Sequence, residues 1–138
     1  MEVSATYLGG AKFEVEARGH KAICDQPVDN RGTDGGMSPP EFLLASLASC
    51  AGYYAAEYLN ARGLPAEDLK VRVTAQKVPQ PARLSSFGIE VTTAPLDDRH
   101  QAGLFRAIKA CLIHNTLAGN PGIEIALHQA EPADALAH

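Results

Sequence analysis

GTDGGMSPPEFLLASLASCAGYYAAEYLNARG, residues 32–63, reads as a glycine-rich loop feeding one long helix with a cysteine near its middle. The start signals agree with one another. Ser38 can cap the helix, Pro39 suits the first helical position, where no amide donor is needed, and Glu41 can reach back to the amide of the cap. Gly63, followed by Pro65, is the stop. Between them Leu43, Leu47, Cys50, Tyr54 and Tyr58 recur at spacings of four, three, four and four, which sets them on one stripe of a 3.6-residue helix. This spacing predicts that Cys50 faces the packed side. The flanking Ala48, Ser49, Ala51, Gly52 and Ala55 carry little bulk, so another backbone can approach the sulfur closely.

Upstream, residues 2–8 and 11–17 alternate apolar and polar side chains around Gly9 and Gly10, the pattern of a tight hairpin, and residues 20–25 read as a third strand. Residues 26–37 hold Pro27, Asn30 and three glycines without periodicity and are expected to be a mobile loop leading into the helix, placed to close over a site. Downstream, Leu69, Val71 and Val73 alternate within residues 68–78, and Phe87, Ile89 and Val91 within 83–93. Pro79 and Pro81 interrupt the two runs, and a long hairpin is the simplest reading. A second helix is expected from Asp97 or Asp98 to about Asn115, with Leu104, Ile108 and Cys111 on its apolar stripe. Ile123, Ile125 and Leu127 alternate in a last strand over 123–128, and the residues after it read as a frayed tail.

The chain has 138 residues, 46% of them hydrophobic and 20% charged, which suits a single globular domain over 1–138 with one core. Its net charge of −4 carries no cluster of lysine or arginine, arguing against nucleic acid or an anionic membrane as partner. The longest uncharged run is too short and too polar to span a membrane, and the start lacks the pattern of a signal sequence. The expectation is a soluble, cytoplasmic protein. Three cysteines with no close spacing form neither a secreted disulfide framework nor a zinc pattern, so in a reducing compartment each is buried filler or a reactive thiol.

Most buried cysteines are small hydrophobes, and Cys24, on a strand, is read as one. Cys50 and Cys111 differ because they occupy matching positions on two helices with small faces. A crossing of those helices would bring them together, and a disulfide requires Cα atoms within roughly 7 Å.

The pair of motifs GTDGGMSPPEFLLASLASC and ACLIHNTLAGNPGIEI resembles the OsmC/Ohr family, the osmotically inducible and organic hydroperoxide resistance proteins. The likeness covers nearly the whole chain. The features that carry it are a glycine and proline lead-in, an acidic residue, a small-residue helix with the first cysteine, and a second helix with Cys111 and Asn115 in Cys-x-x-x-Asn. The resemblance implies an α+β fold, in which antiparallel sheets pack around two central helices per chain in an intertwined homodimer. It also implies a cysteine peroxidase that needs no cofactor and no metal. Cys50 would attack an organic hydroperoxide and become a sulfenic acid, Cys111 would resolve it as a disulfide, and a dithiol reductant such as a dihydrolipoyl group would reopen that bond. Phe42, Leu47, Tyr53, Tyr54 and the loop would supply an apolar pocket beside the sulfur.

A thiol with a free pKa of about 8.5 is mostly protonated at neutral pH, and burial raises that value, so a cation is expected near Cys50. The family's peroxidases use an arginine from the N-terminal region held by a glutamate from the helix start. Arg18 and Glu41 are the candidates for that pair, with Lys12 and Arg31 as alternative cations. Counting back from Cys50, the glutamate position falls on Pro40, one residue from Glu41, whose role in a capping box is complete without any part in catalysis. His114, three residues after Cys111, can tune that cysteine or cap exposed carbonyls. These departures resemble a broader OsmC-like subgroup. The expectation is therefore a homodimeric thiol peroxidase, and the rival is a protein that binds a small apolar ligand or thiol in the same pocket without efficient turnover.

Overall fold

The structure, a computed structural model, describes residues 1–131. Three strands open it: β1 (Ser4–Gly9), β2 (Lys12–Ala17) and β3 (His20–Cys24), joined as an antiparallel sheet in that order. The long helix α1 (Pro39–Ala61) follows, then the antiparallel hairpin of β4 (Lys70–Val78) and β5 (Arg83–Thr92), and two further helices, α2 (Asp98–Lys109) and α3 (Leu112–Ala118). The class is α+β, with two antiparallel sheets, as expected. The first hairpin turns on Gly10 and Ala11, one residue beyond the expected pair, because a bulge between Tyr7 and Gly9 shifts the register; Gly9 and Gly10 take φ of 102° and 58°.

Helix α1 begins as its sequence requires. The amide and hydroxyl of Ser38 both donate to Glu41 Oε1, at 2.9 and 2.8 Å, and Pro39 occupies the first turn. It ends where Gly63, at φ 65°, lets the amide of Leu64 return to the Leu59 carbonyl at 2.9 Å. The deeply buried stripe is Leu47, Ala51, Ala55 and Leu59, rotated from the expected one: Cys50, Tyr54 and Tyr58 flank it half-buried and Leu43 is exposed. Two alanines at a spacing of four, Ala51 and Ala55, admit close neighbours, whereas the bulkier tyrosines fit only at the margin. Helix α1 packs on the β4–β5 hairpin and on α2 and α3.

The core is Ala55, Leu59 and Leu104, ringed by Tyr58, Leu64, Leu69, Leu96 and Ile108. Gly103 makes the α1–α2 contact possible, since a Cβ there would overlap the Tyr58 phenol. The three-stranded sheet packs on itself and on the loop after it, with little contact to the helices, and β1 is exposed along its whole length.

Three expectations are corrected. Residues 26–37 form a pinned segment, described below, instead of a mobile loop. The expected helix 98–115 is broken: α2 ends at Lys109, Ala110 caps it, and Cys111, with φ −55° and ψ 130°, starts α3. Residues 123–128 form no strand; Ile123, Ile125 and Leu127 are 86%, 94% and 88% exposed. Alternation alone cannot make a strand where no neighbouring edge is available to take its hydrogen bonds.

Candidate functional site

Cys50 lies on the α1 flank that faces the break between α2 and α3. Cys111 sits in that break as the N-cap residue of α3, fully buried, and its sulfur accepts the His114 amide at 3.4 Å while its carbonyl accepts the Asn115 amide at 3.0 Å. A sulfur thus does the work usually given to a Ser or Asp oxygen at a helix start. The two thiols are both free and lie near enough that each shifts the acidity of the other.

The surroundings make the two sulfurs unequal. Burial pushes the Cys50 thiol up, but the Cys111 thiol and the amides of Ile113 and Leu112 together outweigh it, and Cys50 lies below the ordinary thiol value. Cys111 moves the opposite way. Burial and the neighbouring Cys50 thiol push it up, and the amides of His114 and Ile113 only partly offset them. The half-buried sulfur is therefore the stronger acid, and the buried one holds its proton more tightly.

The candidate cations lie elsewhere in the chain. Arg18 is exposed at the β2–β3 turn with φ 53°, and Arg31, at φ 68°, closes the short 3-10 turn Val28–Asn30. Lys12 lies with the Asp25 carboxylate against Gly35. No ion pair joins Arg18 to Glu41 among the described residues, and Glu41 is engaged by Ser38, which, through its amide and then its hydroxyl, lowers the acid's pKa. His114 acts on Cys111 through its amide, and its ring stands 3.4 Å from the Asn115 side-chain oxygen.

Beside the cysteine pair runs an apolar groove of about 890 Å³ between β5, α2 and α3, with Leu47 of α1 at its floor. Of the residues expected to form a pocket at the sulfur, Leu47 lines this groove; Phe42, Tyr53 and Tyr54 do not. Tyr53 is exposed and stacks edge-on with Tyr54 at 5.5 Å. Among the described residues no cluster of His, Cys, Asp or Glu could hold a metal ion.

Asp25 is the residue that sequence reasoning missed. It is buried at the end of β3 and accepts four hydrogen bonds: from the Gln26 amide at 2.8 Å, the Thr33 amide at 3.2 Å, the Thr33 hydroxyl at 2.7 Å and the Gly35 amide at 2.9 Å. Gly35 and Thr33 lead in holding its carboxyl down to about 2. The loop is fastened again where Met37 bridges to Cys24 and accepts the Asp25 amide at 3.1 Å. Its glycines are needed for contact, since a Cβ at Gly32 or Gly36 would enter the backbone of Gln26 or Ile23. The signal available in the sequence was an acid at a strand end ahead of a run with Thr33 and Gly35. The α2–α3 break, and with it the Leu112 and Ile113 amides, had no comparable signal.

A family model described as OsmC-like protein matches residues 32–126, which include both cysteines. Among solved structures, a protein of Psychrobacter arcticus described in terms of osmotic stress induction and detoxification response is similar at 26% identity, over 83% of this chain and 85% of that one, with a TM-score of 0.76. An OsmC-like protein of Mycoplasma pneumoniae superposes at 0.74, with 21% identity over 86% of each chain. An organic hydroperoxide resistance protein OsmC of Legionella pneumophila does so at 0.63, with 20% identity over 87% of this chain and 91% of that one. The last two likenesses establish the fold alone. No curated protein matches the chain in sequence.

Proposed function

The chain belongs to the OsmC-like protein family, and on that premise we propose that it is a homodimeric thiol peroxidase for organic hydroperoxides, with Cys50 as nucleophile and Cys111 as resolving residue. The observation that carries this reading is the pair of unequal thiols, the more acidic Cys50 half-buried and Cys111 fully buried.

In the first step the Cys50 thiolate attacks the distal oxygen of the hydroperoxide. The S–O bond forms, the O–O bond breaks, and the leaving alkoxide takes a proton and departs as the alcohol. The neighbouring Cys111 thiol is a short route for the proton. In the second step the Cys111 sulfur, once deprotonated, attacks the Cys50 sulfenic acid, and the S–S bond forms as water leaves. A dithiol such as a dihydrolipoyl group then reduces the disulfide by two exchanges and becomes a disulfide itself. The sum converts hydroperoxide and two thiols into alcohol, water and a disulfide.

Activation in this reading comes mainly from the Cys111 thiol and the amides at the break. Arg18 and Glu41 are subsidiary: Arg18 adds positive charge from the hairpin, and Glu41 holds the start of α1. The homodimer is supported by apolar surface that one chain leaves open, including Tyr53 at 61% exposure and the alternating Ile123, Ile125 and Leu127. The related stress-response and hydroperoxide-resistance proteins are consistent with a role in peroxide stress. The described residues contain no helix long and apolar enough to cross a membrane.

The test is consumption of cumene hydroperoxide with dihydrolipoamide as reductant. Turnover is expected from the native chain and not from Cys50→Ser; equal rates from both would end the proposal.

A further inference from the structure

The helices of this chain do not open on the same kind of cap. Helix α1 starts on Ser38 with Glu41 and α2 on Asp97, all through oxygen, whereas the start of α3 is held by sulfur. The first amides of a helix have no partner within it. In α3 the His114 amide donates to the Cys111 sulfur at 3.4 Å, and the amides of Leu112 and Ile113 act on the Cys50 sulfur. The helix has seven residues, none of them buried, and so short a helix does not stand by itself in water. Among the described residues its remaining hydrogen bonds stay within 111–119, such as the Asn115 amide to the Cys111 carbonyl at 3.0 Å and the Thr116 hydroxyl to the Leu112 carbonyl at 2.9 Å.

The two sulfurs that fasten α3 are the atoms that the peroxidase reading consumes. When the two thiols give two protons and two electrons to a hydroperoxide, the S–S bond forms and alcohol and water leave. A thiolate accepts hydrogen bonds strongly, while a disulfide sulfur is uncharged and accepts them weakly. One sulfur must also turn toward the other. Cys50 lies inside the 23 residues of α1, which is secured at both ends, while Cys111, at φ −55° and ψ 130°, joins two helices, so the motion falls at Cys111.

We propose that α3 is a redox-gated element: the Cys50–Cys111 disulfide withdraws both sulfurs from the amides of Leu112, Ile113 and His114, and α3 stays loose until that bond is reduced. The loosening comes when a dithiol has to reach a bond whose Cys111 side is fully buried in the reduced chain, and pairing of two chains can only add to that burial. The inference rests on the peroxidase reading for its natural oxidant, and it requires no open surface.

The test is NMR of the full chain, reduced and after one equivalent of diamide, which takes two hydrogens from the thiols and becomes a hydrazine. Diamide replaces the hydroperoxide so that the gate is tested apart from peroxidase activity. With the Cys50–Cys111 disulfide verified by mass, amide exchange at His114, Thr116 and Leu117 is expected to rise about fivefold or more, the effect of losing a helix cap, and to return on reduction. The His100 amide, capped by Asp97, should not change. In the reduced state Cys111→Ala should speed exchange at His114, whereas Cys111→Ser, which supplies a cap oxygen, should match the native chain. A verified disulfide with unchanged α3 exchange would overturn the proposal, as would equal loosening at His100, equal behaviour of the Ala and Ser variants, or failure of diamide to join the two cysteines. A chain that loosens α3 with diamide yet leaves cumene hydroperoxide intact would sink the peroxidase reading and support the gate.

Discussion

The Cys111 thiol acts on the Cys50 sulfur across the gap between α1 and the start of α3, helping to lower the Cys50 pKa while its own is raised, and the two residues come from opposite halves of the chain. That proximity, with the burial of Cys111 and the amides at the start of α3, sets the order of acidity of the two sulfurs and with it the direction of any reaction between them.

Alkylation by iodoacetamide as a function of pH reads this order directly. Cys50 should react as a thiolate at lower pH than a free cysteine, while Cys111 stays protected. Cys111→Ala removes a donor and should move the Cys50 profile to higher pH; Cys111→Ser, which keeps a hydroxyl donor, should move it less. The signs carry over to stability. A depressed Cys50 pKa contributes stability above the unfolded thiol value, lost as pH falls through the folded one, and a raised Cys111 pKa contributes stability lost as pH rises through its own. Equal profiles for the Ala and Ser variants would remove the Cys111 donor from the explanation.

Arg18→Gln tests whether a cation from the first hairpin matters. With Arg18 exposed at a turn, a change of less than about threefold in the Cys50 alkylation rate at pH 7 is expected, within the range of a weak surface charge effect. A loss of a hundredfold or more would make the arginine the principal activator.

Asp25→Asn should loosen residues 26–37, because the amide cannot reproduce a carboxylate that accepts from Gln26, Thr33 and Gly35. Faster amide exchange at Thr33 and Gly35 and a lower Tm are expected. With the folded pKa held down to about 2, the native carboxylate stabilises the fold above the ordinary aspartate range and loses that contribution as pH falls toward 2. Unaltered exchange at Gly35 in the variant would show that other contacts hold the loop.

Gly103→Ala drives a methyl group into the Tyr58 phenol and should cost about 1–3 kcal/mol by overpacking. Removing the hydroxyl in Tyr58→Phe should recover part of the loss in the double variant, measured by urea denaturation. Simple addition of the two single effects would mean that the residues do not share that space.

Much of this arrangement was legible beforehand, and the rest was hidden for physical reasons. The bounds of α1 followed from Ser38, Glu41 and Gly63 because caps are local chemistry, and the hairpins followed from alternation. The break before Cys111 was hidden because the apolar spacing of Leu104, Ile108 and Cys111 runs straight through it, and nothing in residues 109–112 is a helix breaker. Only the sulfur's bond to the His114 amide reveals a cap. The loop anchored on Asp25 was hidden because its glycines signal freedom when read singly, whereas Gly32 and Gly36 serve close backbone contact. The strand expected at 123–128 depended on a neighbouring edge, which alternation does not supply.

The most direct measurement is mass mapping of the reduced chain after brief exposure to one equivalent of cumene hydroperoxide, with free thiols counted under denaturing conditions. Loss of two thiols, a Cys50–Cys111 peptide pair and an unmodified Cys24 are the expected result, together with a trapped Cys50 sulfenic acid in Cys111→Ser. Three free thiols after exposure, or oxidation at Cys24 ahead of Cys50, would contradict the central claim that Cys50 and Cys111 are a working redox pair.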